Sequence, residues 1–162
     1  MRELFAINTA PAAPVTECSR LSRMIRSGRA SFVVTSTETD PETISRLLGL
    51  DPTEVRPKGV TLRSGRVREH HTWSVDADTM NNTEEDQTGT GSLKEILRIT
   101  RTAAGRVAEL PDDCEARLWW HGSSDSAQGG FVLPAEVAGR IAALGVDLYA
   151  TVYLDEGLIT EE

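Results

Sequence analysis

Three short stretches alternate apolar and polar side chains with a period of two, and this alternation restricts the possible folds more than any other feature. In "RLWWHG", Leu118 and Trp120 share one face, with Arg117, Trp119 and His121 on the other. In "DLYATVYL", Leu148, Ala150, Val152 and Leu154 stand opposite Tyr149, Thr151 and Tyr153. In "EHHTWSV", His71, Trp73 and Val75 alternate with His70, Thr72 and Ser74. Successive residues of a strand point to opposite faces, so strands written this way bury one face and turn the other outward. The aliphatic set calls for a single covering layer of helices. The reverse face then displays His70, Thr72, Trp119, His121, Tyr149 and Tyr153. Rings that are rigid and amphipathic supply contact area at low entropic cost, which makes this set the candidate binding surface.

Helices that could form the covering layer are visible between the strands. After "SFVVTS" (31–36), a β-branched and aromatic strand, comes "DPETISRLLGLDPTEVRPKG" (40–59). Asp40 is a good N-cap and Pro41 suits the first helical position. Ile44, Leu47 and Leu48 recur at the spacing of one buried face. Gly49 supplies a left-handed stop, and Pro52 prevents continuation. Most of this stretch is therefore helix punctuation. Its Lys58, a cation beside Gly59 at a strand entrance, is also a candidate for capturing a carboxylate or an acidic partner. "VTLRSGRVREHHTWSV" (60–75) predicts a hairpin turning at Ser64-Gly65. "DADTMNNTEEDQTGTG" predicts a long mobile loop. Ser92 and Glu95 form a capping box for a long helix with Leu93, Ile96, Leu97, Thr100, Ala103, Ala104 and Val107 inward. "CEARLWWHG" and "GGFVLP" predict a further strand pair. A third helix runs from Pro134 to Gly145, and "VDLYATVYL" is the last strand.

The element order is thus β-α-β-β-α-β-β-α-β. That order predicts an α+β domain whose sheet is largely antiparallel, with helices packed mainly on one face, ferredoxin-like in flavour. At 162 residues the chain suffices for one core. The expected division is a flexible N-terminal arm (1–29), one α+β domain (30–155) and an acidic C-terminal tail (156–162). The arm carries Arg20, Arg23, Arg26 and Arg29, which would be solvated or meet an acidic partner. A formal net charge of −8 repels phosphate backbones and argues against a nucleic-acid partner. No apolar run reaches the roughly 20 residues that cross a bilayer, and no secretory h-region is present. Cys18 and Cys114 lie far apart in no paired motif, as expected of reduced thiols in a cytoplasmic protein.

Chemistry-bearing motifs are sparse. His70 and His71, as strand neighbours, point to opposite faces and cannot chelate one ion together. His121 and Cys114 lack partners at zinc-ligand spacing, so no metal and no cofactor are expected. No nucleophile elbow or catalytic-cysteine signature occurs, and "GTGSLK" lacks the spacing of a phosphate loop.

The segments "TDPETISRLLGLDPTEVRPKG", the Trp of "HHTWSV" and "FVLPAEVAGRIAALGVDLYATVYL" together resemble a bacterial group, the domain-of-unknown-function family 4279. The resemblance covers roughly residues 30–155 and implies a compact α+β domain, with no activity or catalytic residue to carry over. The reading that follows is a non-catalytic, immunity- or adaptor-like module that binds a protein or a small ligand through the sheet face. The alternatives are a small hydrolase pairing His70 or His121 with a carboxylate, and a homo-oligomeric structural protein that buries the face in a twofold interface.

Overall fold

The computed structural model describes residues 25–83, 85, 86, 88–124 and 131–154. Strand β1 (Ser27–Ser36) leads into helix α1 (Pro41–Leu48), then β2 (Glu54–Arg56), β3 (His71–Asp76) and the two-residue β4 (Met80–Asn81). Helix α2 (Gly91–Ile99) is followed by two 3-10 turns, Thr100–Ala103 and Val107–Glu109. Strand β5 (Cys114–Ser124), helix α3 (Ala135–Leu144) and β6 (Asp147–Leu154) follow. The sheet runs β2-β3-β1-β5-β6, with β4 pairing the start of β1. It is antiparallel except at β5–β6. The chain is therefore α+β with a mostly antiparallel, open sheet.

Two neighbours antiparallel to β1 give the sheet its organisation. β1 and β2 point the same way with β3 between them, and β3 and β5 point the same way with β1 between them. Helix α1 spans the first of these gaps and α2 the second. Helix α3 instead joins two adjacent parallel strands, a connection that a hairpin turn cannot make.

Capping at α1 matches the sequence. The Asp40 carboxylate accepts from the Thr43 N–H at 2.9 Å, and Gly49 (φ 66°) closes the helix, donating to the Ser45 carbonyl. One face of the sheet contributes Phe32, Val34, Trp73, Leu118 and Trp120, all fully buried. Against them pack Ile44 and Leu48 of α1, Leu93, Ile96 and Leu97 of α2, and Val137, Ile141 and Leu144 of α3. Phe32 meets Trp73 edge to face at 5.9 Å. Each buried indole N–H is satisfied, that of Trp73 by the Ser45 hydroxyl (2.9 Å) and that of Trp120 by the Gly89 carbonyl (3.2 Å). Gly122 must be glycine because a Cβ there would come within 2.4 Å of the Trp120 ring.

Several local expectations are corrected. The Ser64-Gly65 turn exists, but its arms form a small hairpin outside the sheet, joined by the Thr61–Val67 bridge. The outer edge of β3 is already occupied by β2, so this ribbon has no strand to extend. Phe131–Pro134 is irregular and not a strand, because β5 is flanked on both sides by β1 and β6. Phe131 stacks on Trp120 instead, at 4.5 Å. The capping box does not form. α2 begins at Gly91, Glu95 pairs with Arg98 (2.7 Å), and the buried Ser92 hydroxyl finds no partner among the described residues.

The predicted long helix also breaks at Thr100, whose hydroxyl donates back to the Ile96 carbonyl (2.8 Å), and Ala104 is exposed. Residues 76–91 are not one free loop: β4 pairs with β1, the Lys94 ammonium holds Asp86 at 2.5 Å, and Thr90 is fully buried. The arm expected over 1–29 ends sooner, since Ile25 is buried and β1 starts at Ser27. Arg20, Arg23, Cys18 and the acidic tail lie outside the described residues.

Candidate functional site

The face of the sheet away from the helices is built by the residues that alternate with the core. From β1 come Arg29, Ser31 and Val33, and from β3 Thr72, Ser74 and Asp76. β5 adds Arg117, Trp119 and His121, and β6 adds Tyr149, Thr151 and Tyr153. Cross-strand register sets Asp76, Ser31, Trp119 and Tyr149 in one row, since Ser31 pairs with both Asp76 and Trp119 and Trp119 pairs with Tyr149. Arg29, His121 and Thr151 form the next.

The β5–β6 half of this face is a continuous strip of rings. Tyr149 and Trp119 lie 4.9 Å apart, Trp119 and His121 stack at 6.1 Å, and His121 and Tyr153 lie 5.9 Å apart. The Arg117 guanidinium covers the Tyr149 ring at 5.1 Å, where the electron-rich face attracts the cation. Tyr149 is 38% exposed and Tyr153 58%, so the strip is open toward solvent. The Nδ1 of His121 is buried with no hydrogen-bond partner among the described residues.

The β1–β3 half is polar. Beside the strip lies a depression of about 260 Å³ lined by Ser31, Glu54, Arg56, Thr72, Asp76, Trp119 and His121, among others. Its cations are already matched. Arg56 chelates Glu54 through 2.8 and 2.6 Å bonds, and that pairing holds the Glu54 carboxyl below its ordinary value. Arg117 is paired with Glu115, which raises the guanidinium pKa further. Asp76 accepts from Ser31 (2.5 Å) and Ser74 (3.2 Å), with Arg29 at 3.7 Å. Among the described residues, Arg29, Arg56 and Arg117 of this face each stand beside a carboxylate. The face offers flat apolar rings edged by fixed hydrogen-bonding groups, which is suited to recognition. Acid–base chemistry needs a histidine within hydrogen-bond reach of its partner. Among the described residues, the His71 side chain accepts from the Lys58 backbone N–H at Nδ1, at 3.2 Å.

Of the predicted residues, Thr72, Trp119 and His121 line the depression, and Tyr149 and Tyr153 extend the strip to the sheet edge. His70 sits outside the strand in an exposed bend and does not line the depression. Lys58 stands elsewhere. Its ammonium donates to the Thr37 carbonyl (2.6 Å) and to Glu38 (3.0 Å), fastening the loop after β1. Ser31 and Asp76 were not singled out in the sequence, which assigned Arg29 to the N-terminal arm and Glu54 and Arg56 to the charged loop after Leu50. For Arg29 and Ser31 the signal was present, because "SGRASFVVTS" alternates Arg29, Ser31 and Val33 with Ala30, Phe32 and Val34.

Among the described residues no cluster of histidine, cysteine and carboxylate groups could hold a metal ion, and no helix is long and apolar enough to cross a membrane. Cys114 is a free, half-buried thiol whose pKa is raised by burial. No curated protein and no solved structure matches the chain. A family model described as "Domain of unknown function (DUF4279)" matches residues 26–155, most of the molecule, and the chain belongs to that family.

Proposed function

We propose that this chain is a non-catalytic binding module, of the immunity or adaptor kind, that recognises a protein partner through the open face of its sheet. The observation that carries the reading is the unbroken strip Tyr149–Trp119–His121–Tyr153 on the face that, among the described residues, no helix covers. Aromatic side chains of this type dominate protein contacts because they bury much area while losing few rotamers. The neighbouring depression would accept a polar side chain of the partner, or a small polar ligand, against Asp76 and Ser31. The same reading makes nucleic acid a poor ligand and needs no cofactor. It fits a cytoplasmic setting, in which Cys114 remains a thiol.

The ferredoxin-like account of the fold belongs to this proposal as well. Two interleaved split β-α-β units, β1-α1-β2 around β3 and β3-α2-β5 around β1, are what such a repeat requires, and α3 with β6 would then be an appended unit that widens the binding face.

The test is calorimetric titration against the product of an adjacent gene, with Trp119→Ala as the comparison. A central aromatic anchor is worth about 2 kcal/mol, so the variant is expected to bind roughly 30-fold more weakly. Equal affinity for wild type, Trp119→Ala and Tyr149→Ala would remove the face from the account.

A further inference from the structure

The two edges of the sheet differ sharply. β2 is three residues long, carries Glu54 and Arg56, and is bracketed by Pro52 and Pro57. Short length, charge and proline are the means by which edges avoid pairing with other chains. Beyond its first residue, Asp147, β6 has none of these defences. It is eight residues long, pairs only with β5 among the described residues, and has no charge, proline or glycine from Leu148 to Leu154. Tyr153 and Leu154 are 58% and 50% exposed, although they belong to opposite faces. The strand therefore leaves both its backbone edge and its side chains unmatched.

Its sequence specifies what would match them. "LYATVYL" is a chemical palindrome about Thr151: Leu148 mirrors Leu154, Tyr149 mirrors Tyr153, and Ala150 mirrors Val152. An isologous twofold contact requires a surface complementary to itself, and antiparallel pairing of a palindromic strand with its own copy provides one. We propose that β6 pairs antiparallel with β6 of a second copy, about a twofold axis through Thr151 and perpendicular to the sheet. In that register Tyr149 lies opposite the partner's Tyr153, Leu148 opposite the partner's Leu154, and the two threonines meet on the axis. Aromatic, aliphatic and threonine pairs of this kind are the favourable cross-strand neighbours. The two sheets become one, with all helices on one side. The two aromatic strips also join, because Tyr149 touches Trp119 and Tyr153 touches His121 within each copy.

The size and charge of the contact set its strength. The exposed parts of the two tyrosines amount to roughly one full aromatic side chain, about 200 Å² per copy. With Val152, Leu154 and the backbone the dimer buries on the order of 800 Å² in total, below the ~1,200 Å² of stable complexes, so association belongs to the micromolar range and above. Each copy carries a net −8, so added salt screens the repulsion between copies and tightens the dimer.

Sedimentation velocity of the full chain from about 5 to 300 µM is the test. The expected result is a mass rising from 17.6 kDa toward twice that value, at lower concentrations in high salt. Thr151→Lys sets two ammonium groups on the axis and is expected to keep the chain monomeric throughout, with far-UV circular dichroism reporting its fold. Thr151→Cys, with Cys18→Ser and Cys114→Ser, is expected to cross-link to itself under mild oxidation, whereas Tyr153→Cys is not. A chain that stays monomeric, a dimer that Thr151→Lys leaves intact, or cross-linking through position 153 and not 151 would each overturn the proposal. Trp119→Ala is expected to dimerise normally, so this contact and the partner-binding reading fail separately.

Discussion

Asp113 shows how one carboxylate can connect distant parts of a small domain. It accepts from the backbone N–H groups of Glu38 and Thr39, both at 2.8 Å, and from the Thr39 hydroxyl at 2.6 Å. The loop between β1 and α1 is thereby tied to the residue that precedes β5. These bonds, with those from Thr39 foremost, hold the Asp113 pKa far below the ordinary 3.8. A depressed carboxylate contributes stability that is complete above its unfolded value and is lost as pH falls through its folded one. Urea melts of wild type and Asp113→Asn should therefore differ most near neutral pH and converge as pH drops below about 4. Curves that remain parallel over that window would assign Asp113 no linked role. Nothing in "PDDC" marks this function, because acceptor and donors are loop residues whose meeting depends on the finished sheet.

At the scale of elements, the hairpin at residues 60–67 is separable from the fold. It pairs with no strand of the sheet, and its base is closed by the Gly59 N–H to Arg68 carbonyl bond of 2.8 Å. Replacing residues 60–67 with a short Gly-Ser link is expected to leave cooperative thermal unfolding intact, with Tm changed by no more than about 4–8 °C, the equivalent of ~1 kcal/mol. Loss of a cooperative transition would show that the hairpin supports the core. α1 was legible because its start and stop are local chemistry, Asp40 at one end and Gly49 at the other. By contrast, "VTLRSGRV" and "FVLP" carry strand-forming residues and still remain outside the sheet. Whether such a segment pairs depends on which edges are vacant, and β2 and β6 reach those positions first. The break of α2 after Ile99 was not visible either, since Thr100, Ala103 and Val107 keep apolar spacing while the backbone tightens into 3-10 turns.

For the whole molecule, the decisive property is that the helices cover one side of the sheet as far as Leu148, while at the β6 edge Ala150, Val152 and Leu154, expected under that layer, are exposed. Period-two alternation carried the first of these: Leu118 and Trp120 are buried, and Trp119 and His121 are not. It could not supply the lateral order of the strands, so the polar half contributed by β1, β2 and β3 emerged only once the rows were aligned. The three tryptophans report on this arrangement directly, because Trp73 and Trp120 are 0% exposed and Trp119 is partly open. Iodide quenching of tryptophan fluorescence in the native chain, compared with Trp119→Phe, is the most direct measurement. The account predicts a quenchable fraction of the wild-type emission that disappears in the variant. Emission from wild type that iodide cannot reach, or a quenchable fraction that survives Trp119→Phe, would contradict it.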